Sequence, residues 1–271
     1  TGVQTCALPI SRLEAPANSI FATVKTADAS GTGYWALQGL EIASPSTNSQ
    51  FQYTLVGLSE SYAGERQPHL TPHHVLVDRC YIHGWDGLDG PLRCVGAHGR
   101  NLVIRDNYIA NCKYTGGDSQ GIWMQNGPGP IDIVNNFIEG AAENIMVGGA
   151  APSSIPWVAV RNIRVIGNHL YKRRAWKYGS GTSAPAWPCV DGEQYRRTSP
   201  AQSYVCSGGS WVTAATSVNY WVKNLFELKE GQNVQLYGNL LDGNWRDKQT
   251  GTNVLINQTN ARHYNVRNFH M

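Results

Sequence analysis

One line of this chain is written several times over. "RNLVIRDNYIAN" (100–111), "GPGPIDIVNNFIEG" (127–140), "RNIRVIGNHLYK" (161–172) and "QNVQLYGNLLDG" (232–243) each run from a turn through an alternating strand to an asparagine. Aligned on that residue, Asn107, Asn136, Asn168 and Asn239 share a column, with Cys80 before them and Asn268 of the closing "VRNFHM" after them. The successive spacings are 27, 29, 32, 71 and 29 residues. Five residues before the column stand Val75, Leu102, Ile131, Ile163 and Val234, and three before it Val77, Ile104, Ile133, Val165 and Leu236. Two after it come Ile82, Ile109, Ile138, Leu170 and Leu241. Apolar residues at period two mark a strand with one buried face, and the change of phase at the asparagine marks a bend.

A repeat of roughly 20–50 residues implies stacked units, because one unit cannot bury its own apolar face. Strands and turns without a helical period select an all-β parallel β-helix of six or seven coils. The 71-residue spacing holds a long loop insertion near 173–221, rich in Ser, Gly, Trp and Pro. Asparagine suits the bend because it tolerates left-handed backbone angles and carries both a donor and an acceptor, so stacked copies can bond to one another. A second strand recurs between these lines, with a small-polar column Cys94, Gly121, Asn144, Asn224 and Asn253.

Charged residues make up only 15 %, and the net charge of +3 is too small to imply a nucleic-acid partner. No apolar run reaches the ~20 residues of a membrane span. Lys172, Arg173 and Arg174 read as a solvated loop. The opening "TGVQTCALPIS" resembles sequencing-adaptor read-through, so residues 1–11, with Cys6, are set apart from a single domain over 12–271. The expectation is a monomeric piece of a longer exported protein, secreted, periplasmic or at the cell surface. Cys189 and Cys206 flank a polar loop that a disulfide could close, which would fit export; two unrelated thiols are the alternative.

The long segments "DSQGIWMQNGPGPIDIVNNFIEGAAENIMVGGAAPSSIP", "DRCYIHG" and "VKNLFELKEGQNVQLYGNLLDGNW" resemble the right-handed parallel β-helix proteins of bacteria, the architecture of pectate lyases. More narrowly they resemble an uncharacterised group with DSQ…NGPGP…ENIMxGGA…KNLFELK motifs, over about residues 34–260. The resemblance implies the fold and export, and brings no catalytic residue with it. The aspartate calcium cluster of pectate lyases has no clear counterpart here, so no cofactor is assigned and calcium stays an open question.

The position before the second column reads Arg93, Gln120, Glu143, Lys223 and Thr252, with Asp118 and Glu227 nearby. Stacked in register, these side chains form one row ~4.8 Å apart, read as an exposed charged face able to bind polysaccharide. In a lyase, Lys223 would take a proton and Arg93 clamp a carboxylate, although three coils separate them by ~14 Å. In a hydrolase, Asp118 and Glu143 would be the acid and the base or nucleophile. The plain alternative is a charge ladder on a non-catalytic glycan-binding or structural solenoid. Gln120, Trp123, His83 and Glu227 complete the candidate binding residues. The tryptophans of the insertion would line a cleft if exposed and pack the loops if buried.

Overall fold

The computed structural model describes residues 11–16, 23–26, 31–47, 52–59, 68–125, 127–149, 160–257 and 266–271. Three parallel sheets of seven strands wind around one apolar core, and each turn of the chain visits all three in the same order. The protein is a parallel β-helix. Sheet 1 holds Ser11–Glu14, Leu40–Ala43, Tyr81–His83, Tyr108–Cys112, Phe137–Gly140, His169–Tyr171 and Leu240–Asp242. Sheet 2 holds Val24–Lys25, Val56–Leu58, Arg93–Ala97, Gln120–Met124, Glu143–Val147, Phe226–Leu228 and Val254–Ile256. Sheet 3 holds Gly33–Gln38, His73–Asp78, Arg100–Arg105, Ile131–Val134, Arg161–Ile166, Gln232–Tyr237 and Arg267–His270. Ser11 already pairs with Leu40, so the fold takes in a residue that the sequence assigned to the leading segment; Cys6 lies outside the described residues.

The apolar columns become vertical files. Val75, Leu102, Ile131, Ile163 and Val234 pair in register down sheet 3. Ile82, Ile109, Ile138, Leu170 and Leu241 do so down sheet 1. Val95, Ile122, Ile145, Phe226 and Val254 close the core from sheet 2. At the bend, the amide nitrogen Nδ2 of Asn107 donates to Asn136 Oδ1 at 2.9 Å, Asn136 to Asn168 at 2.9 Å, and Asn168 to Asn239 at 3.0 Å. Each Nδ2 also reaches a strand carbonyl of a neighbouring coil, such as Asn136 to Ile104 at 2.9 Å. Asn107 Oδ1 accepts the backbone N–H of Cys80 at 2.9 Å, capping the ladder where the thiol cannot continue it.

Two details of the sequence reading are corrected. The left-handed backbone belongs to the residue before the ladder, at Arg79, Asp106, Asn135, Gly167 and Gly238 (φ 52, 57, 53, 67 and 67°). The ladder asparagines serve the bend through hydrogen bonds, not through φ. Asn268 falls in a different file: Arg267 pairs with Gln232, which places Asn268 beneath Asn233 in a second left-handed column with Asn101 and Asn162.

The insertion is not a loop. After a 3₁₀ turn at Arg174–Trp176, four strands, Tyr178–Gly181, Gln194–Thr198, Ala201–Ser207 and Ser210–Ala214, form a separate sheet. Its last hairpin turns on Gly208 and Gly209, both with positive φ (59 and 73°), a tight turn that glycine enters without strain. Cys189 and Cys206 are bonded as the loop reading allowed. A second disulfide, Cys94–Cys112, joins the start of a sheet 2 strand to the end of a sheet 1 strand. It closes a loop of 18 residues inside the core. Replacing both of these cysteines by alanine should cost about 3 kcal/mol in urea unfolding. The same change at Cys189 and Cys206 should leave the coil transition in place and loosen only the inserted sheet.

Candidate functional site

Sheet 2 gathers most of the residues singled out from the sequence. Arg93, Gln120 and Glu143 lie on adjacent strands in direct register. Lys223 does not continue the row. Ile145 pairs with Phe226, so two residues earlier Asn224 stands opposite Glu143. The chain slips by one residue as it returns from the insertion, because the consecutive apolar residues Leu225 and Phe226 are both buried. Lys223 nevertheless turns its ammonium back into the row: Nζ lies 3.5 Å from Glu143 Oε1 and forms a short ion pair with Asp118.

The row is buried, contrary to the exposed face expected. Gln120 and Glu143 have no solvent-accessible surface, and Glu227 is 1 % exposed. Trp123 and Met146 occupy the next outward row, and Val222, with Tyr220 of the returning segment, packs on Ala141 just ahead of Glu143. Lys223 at 12 % and Asp118 at 33 % side-chain exposure are the solvent end of the constellation. Gln120 Nε2 donates to Glu143 Oε2 at 2.8 Å, and Asn224 Nδ2 to Glu227 Oε2 at 3.0 Å, with Lys229 3.4 Å from the other Glu227 oxygen.

Burial sets the electrostatics. Glu143 is pushed up to about 7, chiefly by desolvation, with Lys223 pulling it down and Asp118 and Glu227 adding to the rise. Burial works against the charged form of Lys223, but Glu143 and Asp118 overrule it and its pKa is raised. Lys223 therefore remains an ammonium at neutral pH and is no proton acceptor. Glu143 is the group that can give and take a proton there.

Most of the buried side-chain atoms without a hydrogen-bond partner among the described residues lie on or beside this one face. They are Arg93 Nε and Nη1, Asp118 Oδ1, Ser119 Oγ, Gln120 Oε1, Gln125 Oε1 and Asn224 Oδ1; Glu143 Oε1 and Glu227 Oε1, also without a hydrogen bond, meet Lys223 and Lys229 as ion pairs. Buried polar atoms are nearly always paired, so such a cluster of unpaired ones is unusual for a protein interior.

The remaining candidates fall elsewhere. His83 is on sheet 1, buried, stacked on Tyr81 at 3.8 Å and held by Gly84 O (2.7 Å) and Glu41 (3.1 Å). It belongs to the wall and lies outside the cluster. Trp123 is not an open platform: the Arg93 guanidinium lies 4.0 Å over its ring, His98 meets it at right angles, and its Nε1 donates to Gly148 O at 2.9 Å. Among the inserted tryptophans Trp176 is buried, while Trp187 is 51 % exposed. The outer aromatic stripe on sheet 1, with Tyr108 and Phe137 stacked at 4.5 Å, spends its ring faces on itself. Among the described residues no group of three or more His, Cys, Asp or Glu side chains is placed to hold a metal. Between Asp118 and Glu143 the ammonium of Lys223 already takes the cation's position.

Lys172 was misread. Far from a solvated loop, it is fully buried, its Nζ bonded to the carbonyls of Gly140 (3.0 Å), Ala141 (2.9 Å) and Ala142 (2.8 Å) and to Asn144 Oδ1 (3.2 Å). It pins the turn that delivers Glu143 to sheet 2. Burial pushes Lys172 down to about 7, against the pull of Glu143. The signal was in the phase: Lys172 stands two residues after core Leu170 and so points the same way. Arg173 is likewise engaged, with Nε 2.7 Å from buried Glu139 and Nη1 on Asp86.

No family model matches the chain, and neither a curated protein nor a solved structure is significantly similar to it.

Proposed function

We propose that this is an exported polysaccharide hydrolase of the bacterial β-helix group its motifs resemble, working on the sheet 2 face, with Glu143 as general acid and Asp118 as the second carboxylate. The cluster of unpaired buried polar atoms around a carboxyl that titrates near neutrality carries this reading. Both carboxylates touch the same ammonium, which places them close together, as glycoside hydrolysis requires. Elimination is less well served. Lys223 keeps its proton, and Arg93 stands two rungs, roughly 10 Å, from Glu143, too far for both to act on one sugar ring. Two disulfides favour an oxidising compartment outside the cytoplasm.

A second reading has its own support. The chain of contacts Gln120–Glu143–Lys223–Asp118 is also what a ladder on a non-catalytic glycan-binding or structural solenoid would show, and its inner members are buried. Incubation with a panel of uronic-acid and neutral polysaccharides separates the two. New reducing ends that vanish in Glu143→Gln support the hydrolase. Unsaturated products would point to elimination instead, and no turnover on any member leaves the solenoid.

A further inference from the structure

Sheet 3 opens with a cluster of a different kind. Its strands Gly33–Gln38 and His73–Asp78 pair Gly33 with His73 and Trp35 with Val75, which sets Tyr34 opposite His74. Neighbouring residues of a regular strand point to opposite faces. His74 escapes that rule because its backbone is left-handed (φ 50°), and its imidazole comes round to the side of His73. The two Nδ1 atoms stand 2.9 Å apart, with the ring planes at 90°. Gly33 makes the room, since a Cβ there would lie 2.1 Å from the His73 ring. Tyr34 is left-handed too (φ 64°), a conformation rare for a bulky residue. Its ring stacks on His74 at 4.8 Å and meets His73 edge-on at 5.2 Å. Later coils fill this left-handed file with Asn101, Asn162, Asn233 and Asn268, which adopt the backbone readily. Tyr34 and His74 spend it on rings, and both are exposed, Tyr34 at 80 %.

We infer that His73 and His74 form a chelating site for a divalent copper ion, bound through both Nδ1 atoms. With metal–nitrogen bonds of ~2.0 Å, donors 2.9 Å apart subtend about 90° at the ion, the angle between neighbouring ligands in a square plane. Tetrahedral zinc would need them roughly 3.3 Å apart. Among the divalent ions that accept nitrogen ligands at right angles, copper binds most strongly. Without the ion one Nδ1–H donates to the other Nδ1, and binding replaces that hydrogen bond once both rings carry their proton on Nε2. Arg100 is in register with His73 and adds a positive charge beside it. Burial, Arg100 and His74 together lower the His73 pKa, so that ring is a neutral donor at pH 7. Two protein donors leave the other equatorial positions to water, and the ion faces solvent. The site lies on sheet 3 and is independent of the hydrolase assigned to sheet 2.

The test is titration of untagged, EDTA-stripped protein with Cu(II) in a glycine-buffered solution, followed by electron paramagnetic resonance of the loaded protein. Wild type should take up one equivalent at least tenfold more tightly than either His74→Asn or His73→Gln. Its spectrum should be axial, with splitting from two nitrogen nuclei, and each variant should lose that pattern. His74→Asn supplies the residue that later coils carry at this position, so its thermal unfolding should match or exceed wild type. Should it fail to fold, His73→Gln, which leaves the left-handed position untouched, gives the same reading. Copper held equally well by the folded variants belongs to other histidines of the chain and overturns the site. So does a wild-type spectrum with one nitrogen, or zinc bound as tightly as copper.

Discussion

Asn136→Ala should lower the unfolding free energy by about 4 kcal/mol in urea titration, one of the largest single-residue losses this fold can show. The side chain sits mid-ladder and is 2 % exposed. Its Nδ2 donates to Ile104 O, Val134 O and Asn168 Oδ1, and its Oδ1 accepts from the backbone and side-chain amides of Asn107. Alanine strands the buried carbonyl of Ile104 and the buried amide of Asn107 on the preceding coil, and each buried unpaired group costs roughly 1–3 kcal/mol. Asn135→Gly is the control. That residue holds φ 53°, which glycine adopts freely, and its side chain makes only a surface contact to Asp106. A change below about 0.5 kcal/mol is expected there. Comparable losses at both positions would mean that the ladder is incidental to the stack.

Glu143→Gln should reduce glycan cleavage by roughly 10²–10⁴-fold while leaving the stack folded. Glutamine is isosteric and can still pair with Gln120, so a loss of rate reads the proton and not the packing. As a general acid Glu143 must be protonated. With its pKa raised to about 7 by burial, the wild-type rate should hold below neutrality and fall as pH rises through about 7. An ordinary carboxyl near 4.5 would already have lost its proton across that range. Lys223→Met removes the charge that pulls Glu143 down, so it should carry the alkaline limb to higher pH. A limb that stays in place would assign the proton to another group.

The files of the fold were legible because period-two apolar columns and a polar column at a fixed offset leave one way to stack. Val75 to Val234 and Asn107 to Asn239 fall in the files their spacing implies. The working face was legible as a set of residues and misjudged as a surface. A polar row reads as exposed until its neighbours are placed: Trp123 lies against Arg93, and Lys223 of the returning segment closes on Glu143. Register after the insertion was out of reach, since the adjacent Leu225 and Phe226 fit either phase. The Cys94–Cys112 bond was hidden for a related reason: the two thiols sit in different columns, and only the corner between sheets 1 and 2 brings their Cα atoms to 5.6 Å. Arg93 shows the limit most clearly. The sequence placed it in the row, but only the fold shows its guanidinium near the rings of Tyr53 and Trp123 with Nε and Nη1 lacking a hydrogen-bond partner.

Glutamate-selective ¹³C labelling, with the Glu143 side-chain carboxyl resonance assigned by its loss in Glu143→Gln, tests the centre of this account directly. The chemical shift followed over pH should report a carboxyl losing its proton near 7 in the folded protein. A midpoint at the ordinary 4.5 would mean that this side chain is neither desolvated nor poised to move a proton, and the site proposed on sheet 2 would be wrong.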